Sequence, residues 1–366
     1  MYNPENQYRC TIIRGKSQSD MEDLLPLYAN MVHKFCPCEE QMFKESSRKM
    51  ISKALFNTDA YAQLSESNRK TVDNHLTEIA GTLLGLYYPE EDVSGTIIYE
   101  SESCRFLVEN NDYPTFFKNL CLNFQFPNGA KWIQFIKDDI EKGLNIKPFC
   151  FVVALLYYAQ NQKQKYLLTK QEIGYYVLNN LDVLKGLVTY QEVYERIISD
   201  RTHKIKREKL SGSHDWQHIK EQFNLLELAN IIETDATYLW LNKDEAPAIQ
   251  IFLSQSPNIT FDCYKYSLET VNDNKAFLND WKKYYGRFNK ELLSLTPAFQ
   301  TSEIVIIDKD EQKAQSGATK STVDLGDEGE ALVFRFEQER VRKYKERLVN
   351  KVLLLGKTKG LGYDIS

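Results

Sequence analysis

The sequence predicts a mainly α-helical protein with small β-hairpins, which is an α+β class of fold. Apolar residues recur at helical spacing in several segments, and short β-type runs follow them. This order, helices and then a hairpin, occurs near residues 20–125 and again near residues 130–255. The two segments show no residue-by-residue similarity, so the repeat is one of element order. Because helices followed by a hairpin is the order of a winged helix, we expect tandem winged-helix subdomains.

The elements of the first segment follow from its apolar pattern. Helical spacing predicts one helix from Asp20 and two more over residues 42–55 and 71–86. β-type runs at residues 95–100 and 104–108 are separated by polar residues that suit a hairpin turn.

The second segment begins with an apolar helix over residues 148–160. Thr169 and Glu172 have the spacing of a capping box, which places a helix start at Lys170. Further helices are predicted over residues 188–199 and 216–229, and a hairpin over residues 231–241. After it we expect a connecting helical segment over residues 256–307 and a polar linker over residues 308–322.

The overall composition is that of a globular protein. Of the 366 residues, 42% are hydrophobic and 27% are charged, which suits two or three domains. The formal net charge is -5, so any surface for nucleic acid has to be local. The seven cysteines show no disulfide framework, the N-terminus is polar, and no apolar run reaches the ~18 residues of a membrane span. We therefore expect a reduced, cytoplasmic protein with no membrane partner.

The C-terminal residues 323–366 combine a helix, a strand and the run Gly360-Leu361-Gly362-Tyr363-Asp364-Ile365. They resemble the start of the nuclease-like domain named after the plant protein NO VEIN, and Gly329-Glu330 matches its helix opening. That family belongs to the PD-(D/E)xK nucleases, so the resemblance implies the start of an α/β nuclease domain. It also implies that Asp364 and Glu330 are catalytic carboxylates that bind Mg²⁺. The alternative is an ordinary C-terminal tail with an exposed aspartate.

The resemblance stops before the strand that would carry the (D/E)-x-Lys half of the site. We therefore expect this chain by itself neither to bind Mg²⁺ nor to cleave DNA. Self-association through the missing part of the nuclease domain is a further expectation.

The N-terminal stretch RCTIIRGK at residues 9–16, followed by DLLPLYANMVHKFCPC at residues 23–38, points to a second family. It resembles the N-terminal region of the type IIS restriction endonucleases related to BpuJI. In that family a winged-helix DNA-recognition domain is joined to a separate C-terminal nuclease. The resemblance implies double-stranded DNA as the partner.

Three groups of polar residues are candidate DNA contacts. The most basic segment, residues 201–209, holds five cations and one anion and contributes Arg201, His203, Lys204, Lys206, Arg207 and Lys209. The predicted polar face of the helix at residues 71–86 and its start contributes Arg69, Lys70, Asn74 and His75. A predicted N-terminal arm over residues 1–19 contributes Arg9, Arg14 and Lys16. Each group has the alternative of being a solvated surface.

Three functions remain open from the sequence. The first is the sequence-specific DNA-recognition portion of a type II restriction endonuclease that cuts near its site. The second is a non-enzymatic winged-helix DNA-binding regulator, and the third is a protein-interaction scaffold.

Overall fold

The structure is a computed structural model that describes residues 2–12, 18–93, 95–163, 166–207, 210 and 213–295. All of these residues lie in one compact unit, Met1–Ala298. The predicted linker and the predicted nuclease start, with Glu330 and Asp364, lie outside the described residues, as do Arg14, Lys16 and Lys209.

Most of the described chain is helical. The helices are α1 (Gln18–Phe35), α2 (Glu40–Phe56), α3 (Glu66–Asn74), α4 (Glu102–Asn110), α5 (Tyr113–Asn123), α6 (Ile133–Lys142), α7 (Pro148–Gln160), α8 (Lys170–Ile173), α9 (Leu181–Leu184), α10 (Tyr190–Thr202), α11 (Ser213–Leu228), α12 (Ala246–Ser254) and α13 (Val271–Tyr285). Two π-helical segments, His75–Leu83 and Gly174–Leu178, continue α3 and α8. The prediction of a mainly helical fold with small sheets is confirmed.

Two small antiparallel sheets have the same topology. The strands are β1 (Cys38–Glu39), β2 (Tyr87–Asp92), β3 (Gly95–Glu100), β4 (Leu168–Thr169), β5 (Ile232–Thr234) and β6 (Tyr238–Leu241). The strand orders are β1-β3-β2 and β4-β6-β5. In each sheet a two-residue strand that follows the first long helix pairs with the last strand of the hairpin.

The chain therefore contains two stretches with a similar order of elements. We call residues 18–100, from α1 to β3, the first half, and residues 148–241, from α7 to β6, the second half. The second half has two additional helices, α9 and α10, between α8 and the helix that precedes its hairpin.

The hairpin predicted from residues 95–100 and 104–108 is wrong. Residues 104–108 lie in α4, because the Ser101 side chain accepts a hydrogen bond from the Cys104 backbone N–H at 3.1 Å and so caps the helix. The strand at residues 95–100 is present as β3, but it pairs with β2. A short apolar run has no periodicity that distinguishes a strand from a helix, and here the cap decides.

The predicted capping box at the start of α8 is confirmed. The backbone N–H of Glu172 donates to the Thr169 hydroxyl at 3.1 Å, and the Glu172 carboxylate accepts from the Thr169 N–H at 2.8 Å. The β5–β6 hairpin is also present where the sequence predicts it.

One continuous hydrophobic core joins the two halves, and α13 completes it. Trp281 of α13 is fully buried. A Cβ atom added at Gly129 would approach the Trp281 ring to 2.4 Å, so only glycine fits there. None of the helices in the described part of the chain has the length and hydropathy needed to span a membrane.

The N-terminal segment, residues 2–12, packs along the second half. The Tyr8 N–H donates to the Asn179 carbonyl at 2.7 Å, and the Leu181 N–H donates to the Asn6 carbonyl at 2.8 Å. Residues 9–12 belong to no helix or strand. Over residues 2–12, the arm predicted before the first half therefore packs on the second half.

A buried ion pair anchors this segment. The Lys131 ammonium lies 2.5 Å from the Asp139 carboxylate, and both side chains are at most 3% exposed. The other carboxylate oxygen of Asp139 accepts a hydrogen bond from the Tyr8 hydroxyl at 2.8 Å.

Candidate nucleic-acid interface

The first half exposes a polar stripe on α3 and its π-helical continuation. The helix begins at Ser65, whose side chain accepts from the Asn68 N–H at 3.2 Å. Ser67, Lys70, Asn74 and Thr77 follow at helical spacing; Asn74 is half-buried and the other three are exposed. We call these four residues the α3 stripe.

Two members of the α3 stripe have unused polar groups. Within the described residues Lys70 forms no ion pair, and the Asn74 amide forms no hydrogen bond. An amide and an ammonium on a rigid helix can donate to base edges in the major groove. Ser67 and Thr77 were not among the candidates predicted from the sequence. Their spacing could have identified them, since Ser67 lies three residues before Lys70 and Thr77 three residues after Asn74.

The placement of His75 on this exposed face is wrong. His75 is only 3% exposed, and its Nδ1 lies 2.5 Å from the Tyr28 hydroxyl of α1. One residue along a helix turns the side chain by about 100°, so the neighbour of the half-buried Asn74 points into the core. Arg69 is half-buried and lies beside the stripe.

The hairpin of the first half carries acidic residues. Glu91 pairs with Lys275 of α13, and Glu90 pairs with Lys283 of the same helix. These pairs fix β2 against α13, and the hairpin offers no basic side chains for phosphate.

The second half contains the basic segment, but its first arginine points inward. The Arg201 guanidinium donates to both oxygens of Glu172, at 2.7 Å and 2.5 Å, and to the Leu167 carbonyl at 2.9 Å. The hydrogen bonds to Glu172 raise the pKa of the Arg201 guanidinium. Arg201 therefore fixes the end of α10 against the start of α8.

Arg207 is also engaged within the protein. Its Nε and Nη2 donate to one oxygen of buried Asp200 at 2.7 Å and 2.6 Å, and its Nη1 donates to Glu5. The Tyr175 hydroxyl donates to the other oxygen of Glu5 at 2.7 Å. That hydrogen bond, together with Arg207, holds the pKa of the Glu5 carboxyl below its usual value.

The residues between the two arginines are exposed. His203, Lys204 and Lys206 all have exposed side chains, and Lys204 has a left-handed backbone with φ of 54°. Neither lysine forms an ion pair with another described residue. We call residues 203–206 the basic loop, and its two lysines are available to phosphate groups.

The N-terminal candidates are only partly within the described chain. Arg9 is exposed. The Ile12 N–H donates to Nδ1 of His218 on α11 at 3.2 Å, and Met21 of α1 lines a cavity with Glu227 and Leu228 of α11. Ile12, two residues before Arg14, thus contacts α11.

Within the described residues, no group of three or more His, Cys, Asp or Glu side chains could hold a metal ion. The proposed magnesium ligands Asp364 and Glu330 lie outside this part of the chain.

Two comparisons with known proteins place this chain in the class of restriction endonuclease N-terminal regions. The family model described as "Restriction endonuclease BpuJI - N terminal" matches residues 2–282. The chain belongs to this family, as the resemblance of residues 9–38 predicted.

A solved structure agrees with this assignment. The crystal structure of pyrene- and phenanthrene-modified DNA in complex with the BpuJ1 endonuclease binding domain is similar, with a TM-score of 0.70 and 38% sequence identity. The alignment covers 78% of this chain and 100% of that chain. No match is found among curated proteins.

Proposed function

We propose that this chain is the sequence-specific double-stranded DNA-recognition portion of a restriction endonuclease. The observation that carries the proposal is the similarity to a BpuJ1 binding domain in complex with DNA, over the whole of that domain and at 38% identity. The exposed cations and the half-buried Asn74 amide supply the two kinds of contact that recognition requires.

Each half is a winged helix in this proposal. The topology supports it, since in each half the short strand after the first helix pairs with the second strand of the hairpin. The helices that precede the hairpins are α3 with its π-helical continuation and α11. Placing such a helix in the major groove brings its exposed face against base edges.

Base reading and phosphate binding are divided between the halves. Asn74 suits a bidentate contact to adenine, and Lys70 suits guanine. Lys204 and Lys206 neutralise phosphates, while Arg9, Arg14, Lys16, Arg69, His203 and Lys209 are the remaining contact candidates. Arg201 and Arg207 are not proposed as direct contacts, since carboxylates of the protein occupy their donors.

A binding assay tests this function. The chain is titrated into a pool of labelled random duplexes at low salt, the bound fraction is selected over several rounds, and the enriched duplexes are sequenced. Recognition predicts convergence on one short sequence with nanomolar affinity at physiological salt, far above that for scrambled duplexes. Binding without enrichment contradicts sequence recognition, and no binding at low salt removes every DNA-binding function.

We propose further that residues 323–366 begin a Mg²⁺-dependent nuclease domain in which Asp364 and Glu330 bind the metal and through which the protein self-associates. The resemblance of this region to PD-(D/E)xK nucleases supports the proposal. In a form of the protein that carries a complete site, Asp364→Asn should abolish Mg²⁺-dependent cleavage and leave duplex affinity unchanged. Cleavage that survives the substitution contradicts the role of Asp364.

A further inference from the structure

Five side chains connect the basic loop to the N-terminal segment. Glu5 belongs to the N-terminal segment, Tyr175 and Tyr176 to the π-helical segment after α8, Asp200 to α10, and Arg207 follows the basic loop. We call this group the Arg207 clamp, after the residue that contacts both carboxylates.

Within the clamp, Asp200 and Glu5 occupy the donor groups of Arg207 that could otherwise bind a phosphate. Nε and Nη2 form the fork that suits bidentate binding of an oxyanion, and both donate to Asp200. Nη1 donates to Glu5. The Arg207 side chain is 17% exposed. The Tyr176 hydroxyl donates a hydrogen bond to the same Asp200 oxygen at 2.6 Å. A phosphate contact would therefore require Arg207 to abandon a largely buried carboxylate.

Both ends of the basic loop are fixed by an arginine. Arg201 holds the last turn of α10 through Glu172, and Arg207 holds the other end through Asp200 and Glu5. Between them the Ile205 N–H donates to the Asp200 carbonyl at 2.8 Å. These contacts fix the direction in which the two loop lysines leave the surface.

We propose that Arg207, through Asp200 and Glu5, is a positioning residue that presents Lys204 and Lys206 to DNA phosphates and joins the loop to the N-terminal segment. This inference rests on the proposed DNA-recognition function. A loop that is ordered before binding loses less conformational entropy when it contacts the duplex.

The effect of Glu5→Ala on DNA affinity distinguishes the two possible roles of Arg207, because positioning and direct phosphate contact predict opposite signs. If Arg207 bound phosphate, Glu5 would compete with the DNA, and Glu5→Ala would strengthen binding. If Arg207 positions the loop, Glu5→Ala removes one of its two anchors and weakens binding, although the substitution also removes a negative charge.

The experiment measures duplex affinity by fluorescence anisotropy at several salt concentrations. The matched control is Glu195→Ala, because Glu195 is exposed on α10, has no partner among the described residues and carries the same charge. Positioning predicts that Glu5→Ala weakens binding about two- to fivefold relative to the control. Binding by Glu5→Ala that equals or exceeds that of the control overturns the proposal.

A double-mutant cycle tests whether the effect passes through the lysines. In the Lys204→Ala/Lys206→Ala background, Glu5→Ala should cause no further loss, and an undiminished loss overturns the proposal. Tyr175→Phe removes one hydroxyl from Glu5 and should weaken binding in the same direction, with thermal unfolding confirming that each variant folds. A wild-type chain that binds no duplex overturns the proposed function, whereas a wild-type chain that binds without these effects overturns positioning alone.

Discussion

The first and second halves share an order of elements but expose different chemistry. In the first half, the helix before the hairpin presents the α3 stripe to solvent. In the second half, the N-terminal segment contacts the corresponding helix, α11, and Met21 of α1 lines a cavity with that helix. The basic loop, which follows the additional helix α10, adds the exposed Lys204 and Lys206 to the second half.

In the proposed function, one topology supports two kinds of DNA contact. Side chains on a regular helix keep a fixed spacing, which suits the reading of base edges. A loop with two lysines suits phosphate, which requires charge more than exact geometry. We therefore expect substitutions in the first half to change sequence discrimination and substitutions in the basic loop to change affinity for all sequences.

The largest expected effect concerns the anchoring of the N-terminal segment beside the second half. Lys131→Met leaves the Asp139 carboxylate buried without its cation, and Tyr8 also depends on that carboxylate. We expect the free energy of unfolding, measured by urea denaturation, to fall by about 3–5 kcal/mol. Lys137→Met on the nearby α6 serves as the control, because Lys137 has no partner among the described residues. Equal losses in the two variants would show that the ion pair does not anchor the segment.

The next effect tests base reading by the first half. Asn74→Ala should reduce discrimination between the selected duplex and one substituted at a single base pair by about 1–3 kcal/mol. Competition binding with both duplexes measures the difference. The role of Asn74 is refuted if affinity for both duplexes falls equally.

The neighbouring residue provides a matched control for the α3 stripe. Tyr28→Phe removes the hydroxyl that pairs with buried His75, and it should lower the free energy of unfolding by about 1–3 kcal/mol. Discrimination by the folded protein should stay unchanged. Altered discrimination would mean that the interior of the helix, and not its stripe alone, affects recognition.

The smallest effect tests the basic loop. Lys204→Ala/Lys206→Ala should weaken binding to selected and scrambled duplexes alike and lower the slope of log affinity against log salt by about 2. The matched double variant is Lys137→Ala/Lys142→Ala on α6, which removes the same charge. A salt slope that does not differ from that of the control argues against phosphate contacts by the loop.

Local signals in the sequence predicted much of the fold. The capping box at Thr169 and the β5–β6 hairpin depend on residues a few positions apart, and both were found. The strand predicted over residues 104–108 was wrong, because a run of five residues fits a strand and a helix equally well. The prediction that His75 is exposed was wrong, because the polar face of the helix was extended by one residue, from Asn74 to His75.

The sequence could not predict which cations of the basic segment bind carboxylates of the protein and which stay exposed. Arg201 and Arg207 are as basic as Lys204 and Lys206. Asp200 lies seven residues before Arg207, but the other carboxylates that bind the two arginines lie far away along the chain. Glu172 is 29 residues from Arg201, and Glu5 is 202 residues from Arg207. Arginine forms bidentate pairs with carboxylates more readily than lysine does, which is one reason why the arginines turned inward.

The packing of residues 2–12 on the second half has a consequence for how the protein is made. The Tyr2 hydroxyl bonds to the carbonyl of Tyr176, 174 residues later in the chain. On the ribosome, the first residues to emerge must therefore wait for partners synthesised long afterwards, and long-range contacts of this kind form slowly. A fragment that ends before the second half leaves the Tyr2 hydroxyl, the Glu5 carboxylate and the Tyr8 N–H without these partners, so the N-terminal segment needs the second half in order to fold.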